Sequence, residues 1–453
     1  MGYAHSRRRN PPLISRAPSR LIRSQAWHPG SFSRVDFGNQ GRARLGGPIR
    51  DFLPGGLSTM LKPSTCLVCT STDVSPVLET LSLPADTNRI WPSRQDALTA
   101  VKGPVDISSC HQCGHLFNRS YDDDLVDYES DYENSQMFSP RFRGYAAELS
   151  DRLIAAYDLH GRHIVEIGGG RGDFLRILCD RGNNFGVSFG PSYRPAPGDE
   201  IPANLRFVTD YYTEKYAGEP ADLIVCRHVL EHFWQPREFI ATVRRAVADR
   251  HNLVVYFEVP NGGYILRDRA FWEFHYQHCS YFTGNSLTRL FTDHGFAVRN
   301  LSESFGGQFL AIEVSGANRV VSPDRKKQTG EERAGLEMCA GFSTAFAATA
   351  TRWRDRLDIL RAGGKRVIAW GAGAKTVTFL NVVDPSGSRI THVVDINPRK
   401  LGRFVPGSAQ QIVAPAALPE LRPDLIVLMN GMYRDEISST LDALGLNPEI
   451  SIA

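Results

Sequence analysis

The sequence predicts an α/β protein of several domains, and three observations carry that prediction. Strand, glycine-rich turn and helix follow one another twice, first from Gly161 in GRHIVEIGGGRGDFLRILCDRG and again from Gly364 in GKRVIAWGAGAKTVTFLN. Two C-x2-C pairs stand ahead of the first of these units. The length of 453 residues asks for about three domains at roughly 150 residues each. With 42% hydrophobic and 22% charged residues, the balance is that of an ordinary globular chain and excludes wholesale disorder or a fibrous repeat. Apolar runs are short, such as LIVLM from Leu425, against the roughly 18 residues of a membrane span. A soluble, cytoplasmic protein without a membrane partner is the expectation.

The net charge of +3 hides an asymmetry. Residues 1–60 carry ten Arg, no Lys and only Asp36 and Asp51 as acids, which makes that segment +8 and the remainder −5. A basic, Pro/Gly/Ser-rich stretch without apolar periodicity buries too little surface to offset its ordering entropy, so it reads as a disordered tail. An organelle presequence fits the Arg and Ser content, but Pro11, Pro12, Pro18 and Pro29 obstruct the helix it needs. A nucleic-acid-binding arm fits the charge, yet the acidic remainder offers no second basic surface, and no nucleic-acid partner is expected. The favoured reading is a start assigned too early, with Met60 as the true first residue.

Cys66 with Cys69, and Cys110 with Cys113, form two knuckles whose four thiolates suit one tetrahedral zinc ion. Four sulfurs leave no open position, so this metal is expected to be structural. His111 and His115 flank the second pair and are possible substitutes. Cys179, Cys226, Cys279 and Cys339 are scattered and read as core residues.

In the first strand–turn–helix unit, Ile164, Val165 and Ile167 mark a buried strand, and Phe174, Leu175 and Leu178 begin the helix. Glycines let backbone approach a ligand closely while the helix amino end faces it. Glu166 precedes the turn, giving the spacing E-x-G-x-G-x-G. This resembles motif I of class I S-adenosylmethionine (SAM)-dependent methyltransferases. A strand ending near Val208 before Asp210, and the strand Leu223 to Cys226 leading into HVLEH, continue the family's order. The resemblance implies a class I, Rossmann-like methyltransferase domain that binds SAM through Glu166, Gly168, Gly170, Gly172, Asp210 and His228. One position departs: the acid that ends the family's second strand is Gly190 here. HVLEH also matches the H-x-x-E-H order of a metallopeptidase helix through His228, Glu231 and His232, but its place directly after a strand in a βαβ series argues against that reading.

Downstream, the strand Leu253 to Phe257 runs into Glu258 at a carboxyl end, where open α/β sheets place ligands. The segment Phe271 to Phe282 is dense in His, Tyr, Trp and Phe. It resembles the Y-H-E-H-F-S-Y-F phrase of sugar C-methyltransferases, matched by His275, Tyr276, Gln277, His278, Cys279, Ser280, Tyr281 and Phe282. The family's base maps onto His278, and its Glu is Gln277. Carbon methylation needs a base to take a proton next to a ketone and a donor near the enolate oxygen. The donor role is open to Tyr132, Tyr281 or His275. Tyr132 lies in DYESDYENSQMFSPRFRGYA, which reads equally as a cover over the site or a surface loop.

The carboxyl-terminal part, with THVVDINPRKLGRFVPG after its glycine-rich turn, resembles the terminal domain of the same C-methyltransferases. That implies Gly371, Gly373, Lys375, Asp395 and Asn397 as contacts to the nucleotide part of a substrate; a half-Rossmann unit that merely packs is the alternative. The expected order is therefore a tail or mis-assigned start (1–60), a zinc-binding module (61–120), a SAM-dependent methyltransferase domain (121–315), a linker helix (316–364) and a Rossmann-like domain (365–453). The expected activity is methyl transfer to a carbon next to a ketone of a nucleotide-linked sugar or related small molecule. An O- or N-methyltransferase on the same scaffold and a non-catalytic binding protein, suggested by Gly190 and Gln277, are the alternatives.

Overall fold

Three sheets organise the chain. The computed structural model describes residues 65–89, 91–126, 132–195, 198, 200–248, 250, 252–316 and 337–453. The reading of residues 1–60 falls outside the described residues, as do 317–336 of the expected linker.

The first sheet is antiparallel, in the order β1 (Val74–Pro84), β2 (Lys102–Cys110), β3 (Leu116–Asn118) and β9 (Ser280–Tyr281). Its first three strands surround the cysteine knuckles, whereas β9 comes from the His/Tyr motif more than 160 residues later, pairing Leu116 with Tyr281. A chain that cannot bury a large core by itself thus gains a strand and apolar cover from its neighbour. Gly103 of β2 is where the two pack most closely, since a Cβ there would lie 2.0 Å from the Tyr276 ring.

The second sheet follows from the apolar runs seen in the sequence. Strands β4 (His163–Ile167), β5 (Phe185–Phe189), β6 (Leu205–Val208), β7 (Leu223–Arg227) and β8 (Val254–Pro260) are parallel; β11 (Phe309–Gly316) runs antiparallel to β8, and β10 (Phe296–Ser304) closes the edge. The spatial order is β10-β11-β8-β7-β4-β5-β6, so the order reverses at β4 and the carboxyl ends of β4 and β7 open a crevice there. Helix α1 (Asp173–Gly182) starts directly after the glycine-rich turn, as the spacing predicts.

The third sheet holds five parallel strands in the order β14-β13-β12-β15-β16, from β12 (Val367–Trp370), β13 (Ile390–Val394), β14 (Gln411–Val413), β15 (Leu425–Leu428) and β16 (Glu449–Ile452). A 21-residue helix, Phe342–Ala362, precedes it. Its buried Phe342 and Trp353 share one core cluster with Phe271, Phe274 and Phe379, so this helix packs against the His/Tyr motif and does not stand as an isolated spacer. No helix among the described residues is long and apolar enough to cross a membrane.

Candidate active site

The glycine-rich turn is built for close approach. Gly168, Gly170 and Gly172 all have positive φ, which L side chains rarely adopt. A Cβ on Gly168 would lie 2.3 Å from Val229 Cγ2 and one on Gly172 2.0 Å from the Phe207 ring, so both are closed by packing. A Cβ on Gly170 would meet only Asn134 Oδ1, at 3.8 Å, which leaves this backbone open to a ligand. Beneath the turn, Glu166 is buried and one of its carboxylate oxygens has no hydrogen-bond partner. Burial raises its pKa to about 7, against the lowering effect of Ser188.

Gly190 directly follows β5, with no carboxylate at that position; a Cβ on it would lie 3.7 Å from the Gly168 Cα. Asp210 turns to the surface instead, accepting from Tyr216 Oη at 2.6 Å and Lys215 Nζ at 3.3 Å. Its expected contact with the cofactor has no geometric support. Two aromatics that the sequence did not single out flank the turn: Tyr193 stacks on Phe207 at 4.3 Å between centroids, and its buried hydroxyl has no partner.

HVLEH leaves the carboxyl end of β7 as a turn and a single 3-10 turn (Leu230–His232), not as the helix that a metallopeptidase H-x-x-E-H requires. His228 has φ +55° and places Nε2 3.0 Å from Glu258 Oε1. Burial opposes charging His228, but Glu231 and Glu258 outweigh it and raise its pKa. Glu258 is itself held below the usual carboxylate range: burial works to raise it, and Arg227, at 2.7 Å, and His228 overcome that. His228 therefore belongs to a buried charge cluster at the ends of β7 and β8, next to the Val229 that covers Gly168.

Glu231 and His232 lead from this cluster to the His/Tyr motif. His232 Nδ1 lies 2.9 Å from Gln277 O, and the His232 and His278 rings are 4.8 Å apart. His275 sits 5.0 Å from His278, with Nδ1 2.9 Å from Thr378 Oγ1. Thr378 donates its single proton to Phe274 O at 3.0 Å, so His275 Nδ1 must be the donor to Thr378, and Nε2 is left as the acceptor nitrogen. Burial, reinforced by the neighbouring imidazoles and Lys375, drives the His278 pKa well down. Burial likewise lowers that of His275, to about 3. Both rings are neutral at physiological pH.

The two tyrosines separate in role. Tyr281 donates to His275 O at 3.0 Å and accepts from His275 N at 2.9 Å, so its only proton is committed to the loop and is not offered to an enolate. Tyr132 accepts from Asn88 at 3.3 Å, and burial raises its pKa to about 12, with Glu231 adding to the rise. Residues 127–131 of the Tyr/Ser-rich stretch lie outside the described residues. The part that follows lies over the glycine turn: Asn134 approaches Gly170, Ser135 donates to Asp173, and Glu133 pairs with Arg171 at 3.2 Å.

Glu133 also receives Arg399 and Asn397 from the third domain, each at 3.2 Å. Nothing in the sequence signals this hub. Asp395 accepts from the backbone of Ala372 and Asn397, each at 2.7 Å, and Lys375 bridges Glu273 at 2.5 Å and Gln308 at 2.6 Å. Asn397 and Lys375 are thus engaged across domains, and Asp395 orders the turn within the third one, whereas Gly371 and Gly373 face open space. Beside that turn is an open cleft lined by Thr87, Arg89, Ala372, Lys400 and Arg403 among others. Thr87 donates to Gln277 Oε1 at 2.7 Å, so the cleft adjoins the His/Tyr motif.

The four knuckle cysteines converge, their sulfurs within 4.8 Å of one another, with Cys66 to Cys113 at 3.6 Å and Cys69 to Cys110 at 3.4 Å. Zn–S bonds of about 2.3 Å in a tetrahedron place sulfurs roughly 3.8 Å apart, so the donor set fits that ion. The two histidines are engaged elsewhere: His111 with Ser75 and Asp73, and His115 with Ser280 at 3.3 Å. Cys179, Cys226, Cys279 and Cys339 are buried free thiols.

The family described as a methyltransferase domain matches residues 137–301, and the one described as a C-methyltransferase C-terminal domain matches residues 307–446. The chain is a SAM-dependent methyltransferase of the C-methyltransferase type. Over 394 residues it is 25% identical to the C-methyltransferase NovU of Streptomyces niveus, a span of 82% of this chain and 90% of that protein. Among solved structures it is similar to the S-adenosylhomocysteine-bound methyltransferase CalO1 of calicheamicin biosynthesis, at 18% identity and TM-score 0.30, covering 39% of this chain and 55% of that one. A 1,6-didemethyltoxoflavin-N1-methyltransferase of Burkholderia thailandensis follows at 13% identity and TM-score 0.30, with 38% and 79% covered. These two structural likenesses are partial, and no residue role is taken from them.

Proposed function

We propose that this C-methyltransferase acts on a carbon next to a ketone in a nucleotide-linked sugar, with His278 as the base. The observation that carries the proposal is the continuity of three features. The open glycine turn leads through Val229 and Glu231 to a neutral, half-buried His278, and Gln277 beside it is bonded to the edge of a cleft holding Arg89, Lys400 and Arg403. A diphosphate would pair with those cations while the sugar reaches His278.

Gly168, Gly170 and Gly172 would hold SAM with Glu166, whose unpaired oxygen suits the cofactor's cationic end, and Tyr193 offers a hydroxyl near the missing acid at Gly190. Bound there, SAM supplies an electrophilic methyl group. His278, kept neutral by burial, takes the proton from the substrate carbon, and the electron pair moves toward the ketone oxygen. Tyr132, still protonated at neutral pH, would donate to that oxygen. Thr378 and Tyr281 position the loop, the one through the His275 ring and the other through its backbone. The four cysteines are assigned to a structural zinc ion, which keeps β3 in place against β9. The test is turnover of nucleoside-diphosphate keto-sugars with labelled SAM. Label on a sugar carbon supports the reading, and label on oxygen or nitrogen overturns it.

A further inference from the structure

Among the described residues, besides the cysteine knuckles, one other cluster brings metal-ligand side chains together: Glu231, His232 and His278 each offer one ligand atom within 4.8 Å of the others. Glu231 is 1% exposed and neither carboxylate oxygen accepts a hydrogen bond, one of them lying 3.7 Å from His228 Nδ1. His278 Nδ1 is also buried without a hydrogen-bond partner. A carbonyl can only accept, so His232 must donate from Nδ1 to Gln277 O, and the neutral ring then presents Nε2 as its acceptor nitrogen. A backbone carbonyl fixing one ring nitrogen is the outer-shell arrangement of metal-bound histidine. His228 offsets part of the Glu231 charge from 3.7 Å but leaves both carboxylate oxygens without a hydrogen bond, and a bound ion would satisfy them.

We infer that Glu231, His232 and His278 form a site for one divalent cation of the Zn2+, Co2+ or Ni2+ class. Two imidazoles and one carboxylate are a donor set these ions accept, whereas Mg2+ and Ca2+ require oxygen ligands. Bonds of about 2.1 Å hold ligand atoms roughly 3.4 Å apart, so the three side chains draw in slightly around the ion. The functional consequence rests on the proposed role of His278: an ion occupying its lone pair stops it from taking a proton, so the loaded site is an inhibited one. The VLEH segment, which binds no metal as a helix, does so by joining the His/Tyr motif.

The test titrates Co2+ into full-length protein whose four-cysteine site is already filled with zinc. Cobalt on nitrogen and oxygen gives weak d–d bands without the intense thiolate charge-transfer absorption of cobalt on cysteine, so the two sites are read separately. One such ion per chain is expected, lost in Glu231→Gln and in His232→Gln while both variants keep their zinc and still bind S-adenosylhomocysteine. No cobalt beyond the cysteine site, or d–d bands that survive both substitutions, overturns the inference. Turnover should fall in step with occupancy and return with a chelator weak enough to spare the cysteine site. Full occupancy with unchanged turnover would contradict the role of His278 as base while the spectrum still establishes the ion.

Discussion

Gly170→Ala and Gly168→Ala separate cofactor recognition from packing within one turn. Both positions have positive φ, where an L residue costs about 1–2 kcal/mol. For Gly170→Ala that is the whole structural cost, since the added Cβ meets only Asn134 Oδ1 at 3.8 Å. At Gly168 the Cβ lies 2.3 Å from Val229 Cγ2, and overpacking of this kind adds about 1–3 kcal/mol. At about 2–4 °C per kcal/mol, the first variant should lose roughly 2–8 °C in Tm and the second clearly more, roughly 4–20 °C. Differential scanning calorimetry gives that ordering, and isothermal titration with S-adenosylhomocysteine gives the other half. Gly170→Ala should bind at least about tenfold more weakly, because its methyl occupies the space the ligand needs. Parent-like affinity in Gly170→Ala would refute the turn as the cofactor cradle. Equal Tm losses would refute the Val229 contact as its packing partner.

Other consequences follow from the same geometry. Tyr281→Phe removes both hydrogen bonds to the His275 backbone and should cost about 1–3 kcal/mol, lowering kcat while S-adenosylhomocysteine titration stays unchanged. Glu133→Gln weakens the shared acceptor of Arg171, Arg399 and Asn397, and should reduce both Tm and cofactor affinity, since Arg171 belongs to the glycine turn. Metal analysis should find one zinc per chain in protein dialysed against a weak chelator, lost in Cys110→Ser together with part of the folded signal in circular dichroism. His275 and His278 have depressed pKa values in the folded state, so below the ordinary histidine value of about 6.5 the unfolded chain binds more protons. Stability should therefore fall with decreasing pH, by up to about 1.4 kcal/mol per unit for each group, and thermal melts from pH 7 to 5 read it directly.

What could be read from the sequence was local. The C-x2-C pairs, the glycine-rich turn and the strands Ile164–Ile167 and Leu223–Cys226 are set by residues adjacent in the chain, where periodicity and spacing speak for themselves. The His/Tyr motif was recognisable, but its division of labour was not. Tyr281 and Tyr132 are chemically alike, and only the tertiary partners of the Tyr281 hydroxyl mark it as a loop anchor. The joining of β9 to the cysteine module spans more than 160 residues and leaves no local trace. Lys375, Asp395 and Asn397 are expected as ligand contacts from the resemblance of the carboxyl-terminal part to its family. The partners of Lys375 and Asn397, Glu273 and Glu133, come from distant segments, and no spacing rule connects them.

The central claim is that His278 removes a proton from a carbon next to a ketone. The most direct measurement is exchange of that proton in deuterated water, with a nucleoside-diphosphate keto-sugar, enzyme and S-adenosylhomocysteine, which permits no methyl transfer. Deuterium should enter the carbon with the parent protein and fail to enter with His278→Gln, while both bind S-adenosylhomocysteine equally. Exchange that persists in His278→Gln, or methylation by the parent at a position that never exchanges, would contradict the account.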